Sequence, residues 1–142
     1  MASILKVDEM QGVTNTNEMT IAANNVTVTG EGTATMRLQN GLAKVWVNVN
    51  GATVAARDSL NVASMTDGGS GRLQPNYTNA FSAATYAICI SDNGGSGNGG
   101  IYQTSDIATG SFIMDYRYNS SGSTYTAYDP DTGACGMFGD LA

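Results

Sequence analysis

The sequence predicts an all-β fold, an antiparallel and jelly-roll-like β-sandwich with an extended N-terminal arm. Three observations point there. Val45, Val47 and Val49 alternate with Lys44, Trp46, Asn48 and Asn50. A strand turns successive side chains to opposite faces, so this run is a valine wall backed by a polar one. Turn signals then recur between runs of this kind, at Asn50-Gly51, at Asp67-Gly68-Gly69-Ser70-Gly71 and at Asn119-Ser120-Ser121-Gly122; these residue types accept positive φ. Finally, no stretch of the chain carries the apolar stripe of an amphipathic helix.

Composition narrows the function classes. The chain has 142 residues, one domain's worth with room for an appendage. Its hydrophobic share of 42% sustains a core, while its charged share of 13% is about half the usual 25%. The net charge is −6, and Lys6, Arg37, Lys44, Arg57, Arg72 and Arg117 are spread singly. Nucleic acid demands clustered cations, so none is expected as a partner. No apolar run approaches the roughly 20 residues of a membrane span, and no membrane insertion is expected. The first residues lack the apolar core of a signal peptide, so synthesis in a cytoplasm is expected. The chain contains no histidine. Ser-His-Asp and Cys-His machinery and histidine zinc sites are thereby excluded within one chain. Two cysteines, Cys89 and Cys135, cannot make a four-sulfur site. Cys89 lies in an apolar run and reads as a small buried hydrophobe; a disulfide between the two stays open. No cofactor is expected.

Taken in order, residues 1–12 read as one strand, which is not stable alone and needs a partner. Residues 13–40 hold Val26-Thr27-Val28-Thr29 and Thr35-Met36-Arg37-Leu38, two strand-like runs about a turn at Gly30-Glu31-Gly32. This tract has few large apolar groups, so residues 1–40 read as an attachment and oligomerisation arm. Residues 41–142 read as the sandwich. Strand runs are predicted over 42–49, 52–57, 59–65, 73–81, 85–90, 111–118 and 124–128, with a further one beginning at Ile101-Tyr102. Residues 92–100, Asp-Asn-Gly-Gly-Ser-Gly-Asn-Gly-Gly, form a loop without a large side chain.

Aromatic residues are unevenly placed: ten of eleven follow residue 76. Tyrosine combines contact area with a polar tip and suits recognition surfaces. The same residues also suit half-buried positions in an ordinary sandwich. Tyr102, Tyr116, Tyr118 and Tyr125, with Asp115, Arg117 and Asn119 as hydrogen-bonding neighbours, form the candidate binding set. Asp129-Pro130-Asp131-Thr132-Gly133 faintly resembles the start of a calcium loop but lacks the remaining ligands, so it reads as a turn and no metal is expected. Asp106 and Asp115 would need a cleft and a separation of roughly 5–9.5 Å to act as a glycosidase pair, and nothing in the sequence supplies either. A catalytic role is not expected.

Several of these stretches resemble a known family. Ala-Ser-Ile-Leu-Lys-Val-Asp-x-x-Gln-Gly at residues 2–12 is similar to the opening of tailed-phage fibre proteins of the marine phage type. Asn-Gly-Leu-Ala-Lys-Val-Trp-Val-Asn-Val-Asn-Gly at 40–51, Val-Ala-Ala-Arg-Asp-Ser-Leu-Asn-Val-Ala-Ser-Met-Thr-Asp-Gly-Gly at 54–69 and Tyr-Thr-Asn-Ala-Phe at 77–81 look like their C-terminal β domain. Gly-Met-Phe-Gly-Asp at 136–140 resembles that domain's last strand. The resemblance covers about half the chain and leaves out residues 89–134. It implies a short tail fibre: a virion protein, usually a homotrimer, docked on a tail or capsid protein through residues 1–12. Its distal β domain would bind a host-surface glycan or protein. The near absence of a shaft keeps a capsid decoration protein open as the alternative.

Overall fold

A computed structural model of the chain describes residues 27–29, 35–37, 41–93 and 101–142. The strand expected over 1–12, the turn at 30–32 and the glycine-rich segment 94–100 lie outside the described residues. The first two strands, β1 (Thr27–Thr29) and β2 (Thr35–Arg37), pair antiparallel as a small hairpin of their own. The remaining strands are β3 (Val45–Asn50), β4 (Ala55–Leu60), β5 (Val62–Asp67), β6 (Arg72–Tyr77), β7 (Ala87–Asp92), β8 (Ile101–Ala108), β9 (Ser111–Ser121), β10 (Thr124–Ala127) and β11 (Gly133–Phe138).

These strands build two antiparallel sheets, as the alternation predicts. The first runs β4-β3-β11-β7, and the second runs β5-β6-β9-β10 with β8 on the free edge of β9. The chain enters the first sheet as the β3–β4 hairpin and crosses at Asn61 into the β5–β6 hairpin of the second. It returns as β7, crosses again for the β8-β9-β10 meander, and ends as β11 between β3 and β7.

The core forms between the inner faces. Val45, Val47 and Val49 of β3 and Cys135 and Met137 of β11 face Leu73 of β6 and Phe112, Met114 and Tyr116 of β9. Burying each large apolar side chain contributes about 1.5–3 kcal/mol, so the valine wall is what commits β3 to the interior. Pro75 is fully buried on β6. It donates no hydrogen bond, and the β6–β9 ladder skips Gln74 and Pro75 between the Leu73–Met114 and Asn76–Ser111 pairs. Tyr77, Phe81 and Tyr86 close the core at one corner, with the Phe81 and Tyr86 rings stacked at 4.2 Å. The Tyr77 hydroxyl donates to that of Tyr86, and burial raises both tyrosines above the ordinary phenol range.

Several expectations need correction. The break between the second and third sandwich strands lies at Asn61, with φ 60°, and not at Asp58, which is paired with Asn48 inside β4. Asn61 is held there by its side chain, which donates to the carbonyls of Lys44 and Asn79 and accepts from the Asn79 amide. The Asn50-Gly51 signal does mark the β3–β4 hairpin, but its positive φ falls on Val54. Gly51 is required for a different reason: a Cβ there would lie 2.7 Å from the Pro130 ring and carbonyl. Cys89 is exposed while Cys135 is buried, both as free thiols. Cys89 pairs with Gly136 and Cys135 with Ile90, so the two thiols point to opposite faces of the sheet. β8 continues to Ala108, well past Ile101-Tyr102, and β11 starts at Gly133.

Candidate binding face

Among the described residues, the outer face of the second sheet carries an organised set of polar groups. β6 alternates Arg72, Gln74 and Asn76 outward against Leu73, Pro75 and Tyr77 inward. The register sets Ser64 opposite Asn76 and Thr66 opposite Gln74 on one side, and Asp115 opposite Arg72 on the other. Further along β9, Arg117 faces Ala127 and Asn119 faces Tyr125 of β10.

These groups are linked. The Gln74 amide donates to Asn76 Oδ1 at 2.9 Å, and the Asn76 amide donates to Thr66 Oγ1 at 2.9 Å and Ser64 Oγ at 3.1 Å. Beside this ladder, Arg117 donates to both oxygens of Asp115 from Nε and Nη2 at 2.8 and 2.9 Å. Arg72 approaches the same carboxylate at 3.8 Å and reaches Asp106 Oδ2 at 3.4 Å and Ser105 Oγ at 3.3 Å. Asp115 is only 5% exposed, whereas the Arg72 and Arg117 side chains are 38% and 40% exposed. A two-pronged arginine–carboxylate pair fixes orientation as well as charge. Hydrogen bonding to Asp115, followed by the attraction of its charge, raises the Arg117 pKa above the ordinary guanidinium value. Asp106 sits at a register shift in β8 with φ 51°. Bulges of this kind re-aim side chains, and here the carboxylate is aimed at Arg72.

The candidate set from the sequence divides between the two faces. Asp115, Arg117, Asn119 and Tyr125 share the outer face, with Tyr125 50% exposed. Tyr116 does not belong to a binding surface: it is 0% exposed, and its ring lies over Gly133 in the core. Tyr118 turns to the inner side and packs edge-on against Tyr128 at 5.7 Å. Tyr102 lies opposite Tyr116 in the β8–β9 ladder. Arg72, Gln74, Asn76, Ser64 and Thr66 are the members that the tyrosine argument misses. The alternation Arg-Leu-Gln-Pro-Asn-Tyr over 72–77 was the signal for three of them. The Asp129 carboxylate accepts from the Gly71 amide at 2.7 Å, which ties the Asp-Pro-Asp turn to the turn between β5 and β6. Asp106 and Asp115 are both turned onto Arg72.

The outer face of the first sheet is of another kind. Its register lines up Leu60, Trp46, Gly136 and Cys89 in one row across all four strands. Leu60 is 46% exposed, and nothing lies within 4 Å of the position of a Cβ on Gly136. The next row is Asp58, Asn48, Ala134 and Ser91. Compared with known proteins, the chain matches no family model, no curated protein and no solved structure.

Proposed function

We propose that this chain is a short virion fibre protein. Residues 1–40 attach it to a tail or capsid protein and oligomerise it, as a homotrimer, and residues 41–142 bind a host-surface receptor. The outer face of the second sheet is the binding surface in this reading, and a glycan is the receptor. The observation that carries it is a pair of neighbouring hydrogen-bonded clusters on adjacent strands, the amides and hydroxyls of Ser64, Thr66, Gln74 and Asn76 and, beside them, the guanidiniums of Arg72 and Arg117 around Asp115. Saccharide hydroxyls donate and accept, and Asn, Gln, Ser and Thr side chains do both. Sites built on strands hold such groups more firmly than loops do. Tyr125, opposite Asn119 and so one row beyond Arg117 and two beyond Asp115, lies about 13 Å along β9 from Asp115 and offers an aromatic plane for a sugar ring. The resemblance of residues 2–12, 40–69 and 77–81 to phage fibres supports the same reading.

The test is adsorption competition. Purified protein added to host cells before phage is expected to block adsorption in a dose-dependent way. A folded protein that neither binds cells nor blocks adsorption overturns the receptor-binding reading. Deleting residues 1–12 is expected to abolish incorporation into particles while leaving the sandwich folded.

A second reading, a capsid decoration protein with a particle-stabilising role, is favoured by the row Leu60, Trp46, Gly136 and Cys89. An uncharged, partly aromatic strip of this width suits packing against another protein surface. Particles lacking the protein would then lose stability yet adsorb normally.

A further inference from the structure

We infer that the saccharide taken by the outer face of the second sheet is neutral, without carboxylate, sulfate or phosphate groups; this rests on the glycan-binding reading above. Among the described residues of that face, each cation already has an anion. Arg117 is closed two-pronged onto Asp115, and Arg72 lies between Asp106 and Asp115. Two guanidiniums therefore meet two carboxylates, and the local charge is zero. An acidic sugar that met the remaining Arg117 N–H groups would find their charge already offset, and one that sought Nε and Nη2 would have to displace Asp115, which is 5% exposed. Leaving that carboxylate buried and unpaired is strongly unfavourable. The whole chain carries −6, so a polyanion is repelled before it arrives.

Neutral hydroxyls meet no such obstacle. Arg117 engages Asp115 through Nε and Nη2, and a guanidinium has five N–H donors, so its remaining N–H groups stay available to a hydroxyl. Asp115 thus acts as a positioning residue: it fixes the Arg117 guanidinium through two hydrogen bonds and cancels its charge. Gln74, Asn76, Thr66 and Ser64 add only neutral donors and acceptors.

The experiment measures binding of the full chain to immobilised neutral hexose oligosaccharides and to uronate oligosaccharides of the same length and linkage. Salt is varied from about 50 to about 500 mM, across which the screening length falls severalfold. The expected result is binding of a neutral member whose Kd changes less than about twofold with salt, with the uronate counterpart at least about tenfold weaker. Tighter binding of the uronate, weakening steeply with salt, overturns the neutral assignment and leaves the glycan reading standing. Binding of neither class at any linkage overturns both. Asp115→Asn leaves a guanidinium unneutralised and is expected to gain salt-sensitive affinity for the uronate. Asp106→Asn checks the same release at Arg72 on an exposed residue, where φ 51° is well tolerated by Asn. If both variants fold and neither gains uronate affinity, charge cancellation is not what sets the preference.

Discussion

Towards the core, Val45, Val47 and Val49 of the first sheet and Leu73, Phe112 and Met114 of the second are alike in kind and equally buried. Towards solvent the sheets part company. The first shows Leu60, Trp46, Gly136 and Cys89 in one row. The second shows Gln74, Asn76, Thr66 and Ser64 hydrogen-bonded to one another, beside two arginines sharing a buried aspartate. The inner walls are constrained by burial, which asks only for apolar groups of the right volume. The outer walls are not constrained in that way, so an ordered polar network on one of them is a candidate for selected chemistry.

The comparison is broken most severely through the wall the sheets share. Phe112→Ala is expected to cost about 3–5 kcal/mol, read as a lowered midpoint in urea unfolding; loss below about 1 kcal/mol would mean that the two sheets do not pack as described. The outer walls separate next. Arg117→Ala is expected to weaken competition for phage adsorption by about tenfold, whereas Trp46→Ala leaves it unchanged. The reverse pattern would move the working surface to the first sheet.

A smaller effect appears with pH. Burial holds the protons of Tyr77 and Cys135 more tightly in the folded chain, the thiol being pushed up to about 12. Both groups ionise more readily when unfolded, so their contribution is full below the ordinary values of 9.0 and 10.0 and declines as pH rises above them. Urea midpoints are expected to fall steadily above pH 10, and a flat profile to pH 11 would contradict the burial of this corner. The smallest effect distinguishes the two faces of the first sheet. A thiol reagent is expected to modify Cys89 at once and Cys135 only on unfolding, because the thiolate is the reactive form.

The sequence was legible where burial leaves a period. The β3 alternation and the β1–β2, β3–β4 and β9–β10 hairpins could be placed from residue types alone. Parity was harder: Ala-Ile-Cys-Ile at 87–90 is apolar on both sides, and only pairing with β11 decides that Cys89 faces outward. Polar strands were harder still. Gln103-Thr104-Ser105-Asp106 gives no apolar period, yet these residues pair along β9 as far as Ser105, where the bulge begins. Asp129 to Gly133 reads as a turn, but Gly133 already opens β11, and a residue without a side chain is needed there, since a Cβ on Gly133 would meet the Tyr116 ring at 2.9 Å. Asp58 falls between the runs predicted over 52–57 and 59–65, yet it lies inside β4, a charged edge strand, which is a common safeguard of open edges. The candidate site was half visible. Asp115, Arg117, Asn119 and Tyr125 lie close in sequence, whereas Arg72, Gln74 and Asn76 join them only through the β6–β9 pairing. Tyrosine count misled, because Tyr116 serves packing.

One feature of β9 bears on how the molecule can change. At Tyr116 this strand exchanges neighbours: the Tyr116 amide donates to Gly71, and its carbonyl accepts from Tyr128. β6 ends its pairing at Asp115, the β8 ladder reaches only Arg117, and β10 partners the rest. Residues 119–126 are exposed throughout, so the tip is a two-stranded ribbon clamped at its base and released from the core beyond it. A graft at 121–123, whether a peptide epitope or a longer loop, would be mechanically insulated from the sandwich. The ribbon is therefore a natural display position, where length and sequence can vary while the fold beneath it stays as it is.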